Sequence, residues 1–426
     1  MKRSIDLYHA SISLKNTLLC LFWWFITFWR KPALYRAKLI ELLDLTYHTG
    51  GWYLFGSARS SLSAFLKAAG IGRGDEVVLS SYTCLAVPTA IVAVGANPVY
   101  VDIDFNSLSI DKIKIWEAVS DKTKAIIVQH TLGIPASVDE IKHEAYDRDI
   151  LVIEDCALAI GSKLNGILVG TTGDASIFSM ELSKTLSCGW GGLLLINNPK
   201  LVHHMTQFYG EVPEQEILSS TFDLLQTIIS TWCEHPIFIN FPGKYLMWLL
   251  NKLRIFRPST PSSEFGGVVG ENFIHKMGGA QTLLAILQWN VFTKITGLCA
   301  TNHKIFRKEL KSLGYHVNGE DINNAEYVAN RVSFLVNNKT QIREYFQKEK
   351  IVLGEWFDGP LTPVPSAPVF NYQAGIFPKA ELIASHVVNL PCHNRLSEFD
   401  VDHMIRVLRN YTQSNPEAIS VYNFSH

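Results

Sequence analysis

From Gly51 to Asn198 the apolar positions keep changing period, from the three-and-four spacing of a helix face to unbroken short runs and back. The runs EVVLS (76–80), NPVYVDID (97–104), KAIIVQH (124–130) and ILVIED (150–155) read as strands buried on both faces. Helix-like stretches lie between them. In SSLSAFLKAAG the side chains of Leu62, Phe65, Leu66 and Ala69 share one helical face, and the glycines of the following GIGRGD form a stop. SIDKIKIWEAVS and SVDEIKHEAYDRD are also helix-like, and the second opens with Ser137 and Glu140 at capping-box spacing. Alternation of this kind predicts the α/β class, with βαβ units building a mainly parallel sheet covered on both faces. Ligands in such sheets bind beyond the carboxyl ends of the strands.

The rhythm breaks between residues 201 and 266, where helical, aromatic and Pro/Ser-punctuated stretches suggest an insertion. A long helical pattern from Met277 through Leu310 then leads into a smaller α/β region. Its last helix is announced by Ser397 and Asp400, again at capping-box spacing, although with Asp in place of Glu or Gln. The tail after Tyr411 is polar and is expected to fray. The predicted organisation is a segment 1–45 that is helical and aromatic, a large domain 46–290, and a small C-terminal α/β domain 291–426.

Within the first segment, Asn16 to Trp29 carries no charge and is flanked by Lys15, Arg30 and Lys31. It is shorter than the ~20 residues of an ordinary membrane span, and no small-residue cleavage site follows it, which argues against a signal peptide. Two readings stay open: a helix lying in a membrane interface, or one docked on its own protein or a dimer partner. A second aromatic region, Phe238 to Pro258, also ends in basic residues. Peripheral membrane contact through residues 17–29 and 238–256 is the corresponding expectation.

Charge adds an exclusion. Lys plus Arg number 38 against 39 Asp plus Glu, so nothing draws the chain to nucleic acid. Cys20, Cys84, Cys156, Cys188, Cys233, Cys299 and Cys392 are odd in number and contain no CxxC, which points to reduced thiols in the cytoplasm. The histidines show no metal-ligand spacing, and no metal is expected.

Against this background Lys184 stands out, in SMELSKTLSCGWGG between two apolar strands. Asp155 ends the buried strand ILVIED, where an acid needs a cationic partner or a ligand. Gly56, Ser57 and Ala58 open a helix, whose free N–H groups suit a phosphate. A phosphate seat, a carboxylate and an amine at one rim of a parallel sheet are the parts that pyridoxal phosphate requires.

In these segments the chain resembles the DegT/DnrJ/StrS sugar aminotransferases, of the fold type I group of pyridoxal phosphate enzymes. GSARSSL, GIGRGDEVVLSSYT, GANPVYVDID, VIEDCALAIGS, GDASIFSMELSKTLSCGWGG and LPCHNRLSEFDVDHMI occur in the family's order. The resemblance implies that Lys184 is the Schiff-base lysine and Asp155 the partner of the ring nitrogen. It assigns the phosphate to Ser57, Ala58 and Ser179, and puts His130 near the cofactor. It also marks departures. Leu158 replaces a glutamine, Cys84 replaces a ring-stacking aromatic for which Tyr82 and Tyr100 are candidate substitutes, and Trp190 replaces a glutamate that would face the substrate. An asparagine that reaches the partner subunit's phosphate has no clean match, with Ile274 at its place and Asn272 two residues away. His393 matches a position that lines the substrate entrance.

The function implied is amino transfer, from glutamate to a keto sugar carried on a nucleotide, in a homodimer serving cell-surface polysaccharide synthesis. Two other readings use the same residues: an impaired relative that binds or regulates at the membrane, and a cofactor-dependent sugar dehydratase.

Overall fold

The computed structural model describes residues 4–6, 11–27, 31–235, 238, 242–253, 255–258, 260–270, 273–319, 322–363 and 368–419. A central sheet contains β1 (Trp52–Phe55), β2 (Glu76–Ser80), β3 (Asn97–Val101), β4 (Thr123–Gln129), β5 (Leu151–Asp155), β6 (Ala175–Ser179) and β7 (Gly192–Ile196). The helices used below are α1 (Leu14–Thr27), α2 (Pro32–Tyr47), α3 (Ala58–Ala68), α4 (Val138–Tyr146), α5 (Ile217–Cys233), α6 (Lys244–Lys252), α7 (Gly279–Trp289), α8 (Phe292–Ser312) and α9 (Glu398–Ser414).

The spatial order of the strands is β1–β7–β6–β5–β4–β2–β3. From β3 to β6 they run parallel, whereas β7 is antiparallel to both β6 and β1. Every residue of β6 and β7 is buried. Separate apolar layers cover the two faces, one containing Leu62, Phe65 and Leu79, the other Leu54, Phe178 and Leu284. Parallel sheets need that double cover, which is why their strands are apolar throughout.

The register brings distant residues to one rim. Phe55 pairs with Gly192, and Gly192 with Ser179. Asp155 pairs with Gln129 on one side and Ile177 on the other. The carboxyl ends of β1, β5 and β6 therefore emerge beside the start of β7.

A smaller unit is built on the antiparallel pair β8 (Arg331–Leu335) and β9 (Val387–Pro391), packed around Phe306, Phe334 and Tyr411. The capping box expected at its last helix forms: Ser397 Oγ accepts from Asp400 N at 3.2 Å and Asp400 Oδ2 accepts from Ser397 N at 2.9 Å. The shorter Asp side chain is long enough to close the motif. That helix continues past Tyr411 to Ser414, and Ile419 still bridges to Val336, so the described part of the tail is tied down.

Other local expectations needed correction. Ser137 makes no side-chain cap at α4, and Glu140 instead pairs with Lys112 at 2.5 Å. SIDKIKIWEAVS yields only the helical turn Ile115–Ala118. Asp111 takes the amides of Ile113 and Lys114 there, a local alternative to helix. The long helical pattern after Met277 is two helices, α7 and α8, bent by 64° at Asn290 and Val291.

The N-terminal segment docks on the large unit. Trp24 Nε1 donates to Thr221 Oγ1 at 3.0 Å and Trp232 Nε1 to Thr17 Oγ1 at 3.2 Å, so α1 lies antiparallel to α5. The Trp24 ring covers Gly279, where an added Cβ would stand 2.9 Å from it. Arg36 of α2 is buried, donating to Met277 O at 2.9 Å and to Glu214 at 2.6 Å. Thr17, Cys20, Trp24 and Thr27 form the buried face of α1, while Leu18, Phe22, Trp23 and Phe25 remain exposed. Self-docking thus accounts for one face of this helix. Among the described residues, no single helix is long and apolar enough to cross a membrane.

Trp24→Ala is expected to cost about 3–5 kcal/mol. The denaturation midpoint should fall and protease should cut α1 before the rest of the chain; parental stability would show that this docking contributes nothing.

Candidate active site

Beyond the carboxyl ends of β5 and β6 lies a cavity of about 210 Å³. Ser57, Ala58, Cys84, Asp155, Ser179, Lys184 and Trp190 all line it. A recess of about 30 Å³ beside it shares Cys84, Asp155 and Lys184 and adds His130 and Leu158. Of the residues that the resemblance assigns to cofactor or substrate, His393 lines neither space, and the candidate ring-stacking tyrosines Tyr82 and Tyr100 also lie outside both.

Lys184 sits on a hairpin loop held from both sides. Met180 N donates to Gly191 O and Cys188 N to Met180 O, each at 2.9 Å, which closes the loop's base. Lys184 N donates to Glu181 O at 3.0 Å. The Glu181 carboxylate takes Ser183 N and Oγ at 2.9 and 2.6 Å, and Ser183 O accepts from Asn330 Nδ2 at 2.7 Å. The small unit thereby helps to fix the lysine.

Asp155 is 5% exposed and accepts one hydrogen bond, from Ala157 N at 3.0 Å. Burial pushes its carboxyl above the usual range, against the opposing pull of the Ala157 amide and the Lys184 ammonium. Such an acid is stabilised by a protonated nitrogen brought to it. The phosphate seat is the start of α3. Ser57 caps it, its Oγ accepting from Ser60 N at 3.1 Å while Ser60 Oγ accepts from Ser57 N at 3.0 Å. The cap takes the Ser60 amide, and the start of the helix carries the positive end of its dipole toward the cavity. Gly192 makes the seat: a Cβ there would overlap the Ser57 carbonyl, so only glycine lets β7 pass so close beneath.

These parts fit pyridoxal phosphate on the structure's own terms. The indole nitrogens of Trp190 and Trp356, both on cavity-lining residues, are buried without a partner among the described residues. Asp155 is a buried carboxyl whose charged form a cation brought beside it would stabilise, and the helix start suits an anion.

Several expectations change. His130 borders the recess, but its Nε2 bonds Glu154 Oε2 at 3.0 Å and its Nδ1 accepts from Ala136 N at 2.9 Å, so it has no nitrogen free to move a proton. Burial would raise the Glu154 carboxyl, yet the His130 bond and the amides of Gly170 and Gly173 outweigh it and hold the carboxyl low. Cys156 lies beside this pair, and the three ligand atoms come within 4.8 Å of one another. The Glu154 oxygens are already taken by His130 and three backbone amides, which leaves little for an ion. His393 is buried elsewhere, its ring bonded to Asp6 O at 3.1 Å and to Arg395 N at 3.3 Å. Tyr82 and Tyr100 do not line the cavity. Tyr82 bonds the Phe357 backbone, and Tyr100 packs on Tyr372. Ile274 packs against the apolar layer of the sheet, and Asn272 lies outside the described residues.

The aromatic residue that does line both spaces is Trp356, from the small unit. Nothing local in GEWFDG could have shown this, because the contact depends on how two units pack. Arg59 was also missed, although it stands in the quoted GSARSSL. It lines the cavity and is ion-paired with Glu264, and burial pulls its guanidinium below the usual range. A cation within the first turn of a phosphate-binding helix was a readable signal.

A second chamber of about 250 Å³ adjoins the first. Glu181, Ser183 and Trp190 line both, so Trp190 stands in the wall between them. The Arg257 guanidinium lies 4.2 Å from the Trp190 ring centre, an exposed cation on an indole face.

Comparison with known proteins agrees with this geometry. Residues 53–216 and 257–409 match the DegT/DnrJ/EryC1/StrS aminotransferase family. A GDP-perosamine synthase from Escherichia coli O157:H7 is 39% identical over 151 residues, 35% of this chain and 42% of that protein. An L-glutamine:2-deoxy-scyllo-inosose aminotransferase from Streptomyces kanamyceticus is 40% identical over 149 residues, 35% of each chain. The matched stretches thus span less than half of these relatives' length. In fold the chain is similar to a putative sugar aminotransferase from Streptococcus pneumoniae, with TM-score 0.74 and 18% identity over 97% of this chain and 98% of that one. It is likewise similar to a DegT/DnrJ/EryC1/StrS aminotransferase from Brucella abortus, with TM-score 0.70 and 21% identity over 93% and 95%. With well over half of its length matched by the family model, the chain belongs to the DegT/DnrJ/EryC1/StrS aminotransferase family, whose cofactor is pyridoxal phosphate.

Proposed function

We propose that this protein is a pyridoxal phosphate-dependent aminotransferase that moves an amino group from glutamate to a keto sugar borne on a phosphate carrier such as a nucleotide. The observation that carries this reading is one cavity holding Lys184, Asp155 and the open N-terminus of α3. Relatives named for GDP-perosamine synthesis and for spore coat polysaccharide biosynthesis support a sugar acceptor and a role in surface glycans. By the same reading the protein works as a homodimer in the cytoplasm, close to the membrane.

Bound pyridoxal phosphate would supply an electron sink for charge developing on the substrate carbon. Lys184 Nζ would hold the cofactor, then take a proton from one substrate carbon and return it to the other as base and acid. Asp155 would keep the ring nitrogen protonated. The α3 amides, with Ser57, Ala58 and Ser179, would hold the phosphate. Trp190 and Trp356 would exclude water, and the Arg59–Glu264 ion pair would border the bound phosphate.

Leu158 and Cys84 line the recess without the polar and stacking groups expected there, which favours a second reading as an impaired, binding-only relative. Spectra separate the two. On adding pyridoxal phosphate the working enzyme should gain a visible band that glutamate then removes. Lys184→Ala should lose that band and at least about 10²-fold in turnover. A band that no amino donor alters would favour the binding protein.

Asp155 gives a pH signature. Because burial raises its pKa, its contribution to the apo protein is most favourable in acid and is lost as pH rises through the folded value. Asp155→Asn should therefore raise the apo melting temperature at pH above that value, and the gain should shrink on acidification. The same variant should be stabilised less than the parent by pyridoxal phosphate. Equal melting curves across the pH range would remove Asp155 from this role.

A further inference from the structure

The segment 217–256, which the family model leaves unmatched, supplies α5 and α6, and these do two things at once. Facing inward, Gln226, Ser230, Glu234, Met247, Asn251 and Phe256 line the second chamber, against the Trp190 wall. Facing outward, α6 is apolar. Met247 and Asn251 are one helical turn apart on the chamber side, whereas Trp248, Leu249 and Lys252 point away from it.

No residue of α6 is fully buried, and Trp248 is 60% exposed. The helix KYLMWLLNK carries a lysine at each end and no acid. Next to it in the fold, the α1–α5 pair exposes Phe22, Phe25, Leu218 and Phe222 around the Trp24–Thr221 hydrogen bond. α1 has no acid either, and the exposed Lys15 and Lys31 lie at its two ends. Apolar faces of this kind mark an interaction site. Basic residues at the ends of α1 and α6, with no carboxylate on either, complement an anionic lipid surface, whereas α5, which opens on the exposed Glu216, adds apolar area to the face and no positive charge. A second copy of the same two helices would instead meet lysine with lysine.

We propose that α1, α5 and α6 seat the protein on an anionic lipid surface, and that the second chamber takes its acceptor from there as a sugar linked to a lipid phosphate. This rests on the aminotransferase reading and names its substrate class. The sugar head occupies the chamber beside Trp190, the phosphate meets Arg257 at the mouth, and the lipid tail stays with the outer face of α6. Such a helix lies in the headgroup region without spanning the bilayer.

Full-length protein loaded with pyridoxal phosphate should co-sediment with phosphatidylcholine vesicles containing roughly one quarter phosphatidylglycerol, and not with phosphatidylcholine alone. The double variant Trp248→Asp, Leu249→Asp should bind at least about tenfold more weakly, with unchanged cofactor absorbance and unchanged mass in solution. Doping the vesicles with a polyprenyl phosphate should tighten binding of the parent. Arg257→Gln should abolish that increment and keep binding to undoped vesicles. Absence of vesicle binding, or conversion of the double variant to a smaller oligomer, would make the face an interface between copies and overturn the proposal. A polyprenyl phosphate without effect, or an Arg257→Gln change that weakens both vesicle types equally, would overturn the substrate assignment. The response of the cofactor band to glutamate is read without lipid, so failure of the aminotransferase reading is seen separately.

Discussion

The closeness of β7 to the start of α3 governs the candidate site. Phe55, Gly192 and Ser179 form one row across three strands, and the absence of a side chain on Gly192 lets the capped turn at Ser57 sit directly on that row. Were the turn lifted by a methyl group, the amides of α3 would move away from Ser179 and Asp155. The antiparallel return of β7 follows from the same need. It brings the chain back beside β6 after the loop 180–191, and so holds Lys184 by both ends near the carboxylate.

Much of this was legible in the chain. The parallel strands announce themselves because a strand buried on both faces has no choice but to be apolar, and Asp155 is conspicuous for breaking that rule. Lys184, Ser57 and Ser179 could be placed because each follows a strand or opens a helix. What stayed hidden depended on tertiary packing. His130 looked available until the fold showed Glu154 and the Ala136 amide on its two nitrogens. Trp356 reaches the cavity from the small unit, more than 150 residues beyond Lys184 in the chain. Identical reasoning gave opposite results for two serines: Ser397 caps its helix through Asp400, while Ser137 loses Glu140 to Lys112.

Trp190 shows how an exchange of one residue alters the logic of a wall. A carboxylate at that position would offer polar contact to a ligand. The indole instead offers a flat partition with Arg257 on its face, and it is shared by two chambers. The helices of 217–256 supply the far side of the second chamber, so the indole and these helices enclose it together.

The docking of α1 also sets an order of events during synthesis. Its buried residues find their partners far along the chain: Trp24 waits for Thr221, 197 residues later, and Cys20 for Ala280, 260 residues later. At about 5–20 residues per second, a ribosome takes on the order of ten seconds or more to cover that distance. Throughout that interval one of the most apolar helices of the protein is outside the exit tunnel with no face covered. Until Thr221 and Ala280 have emerged, the face that carries Cys20 and Trp24 has none of its native cover, so α1 is among the first helices made and among the last to be docked.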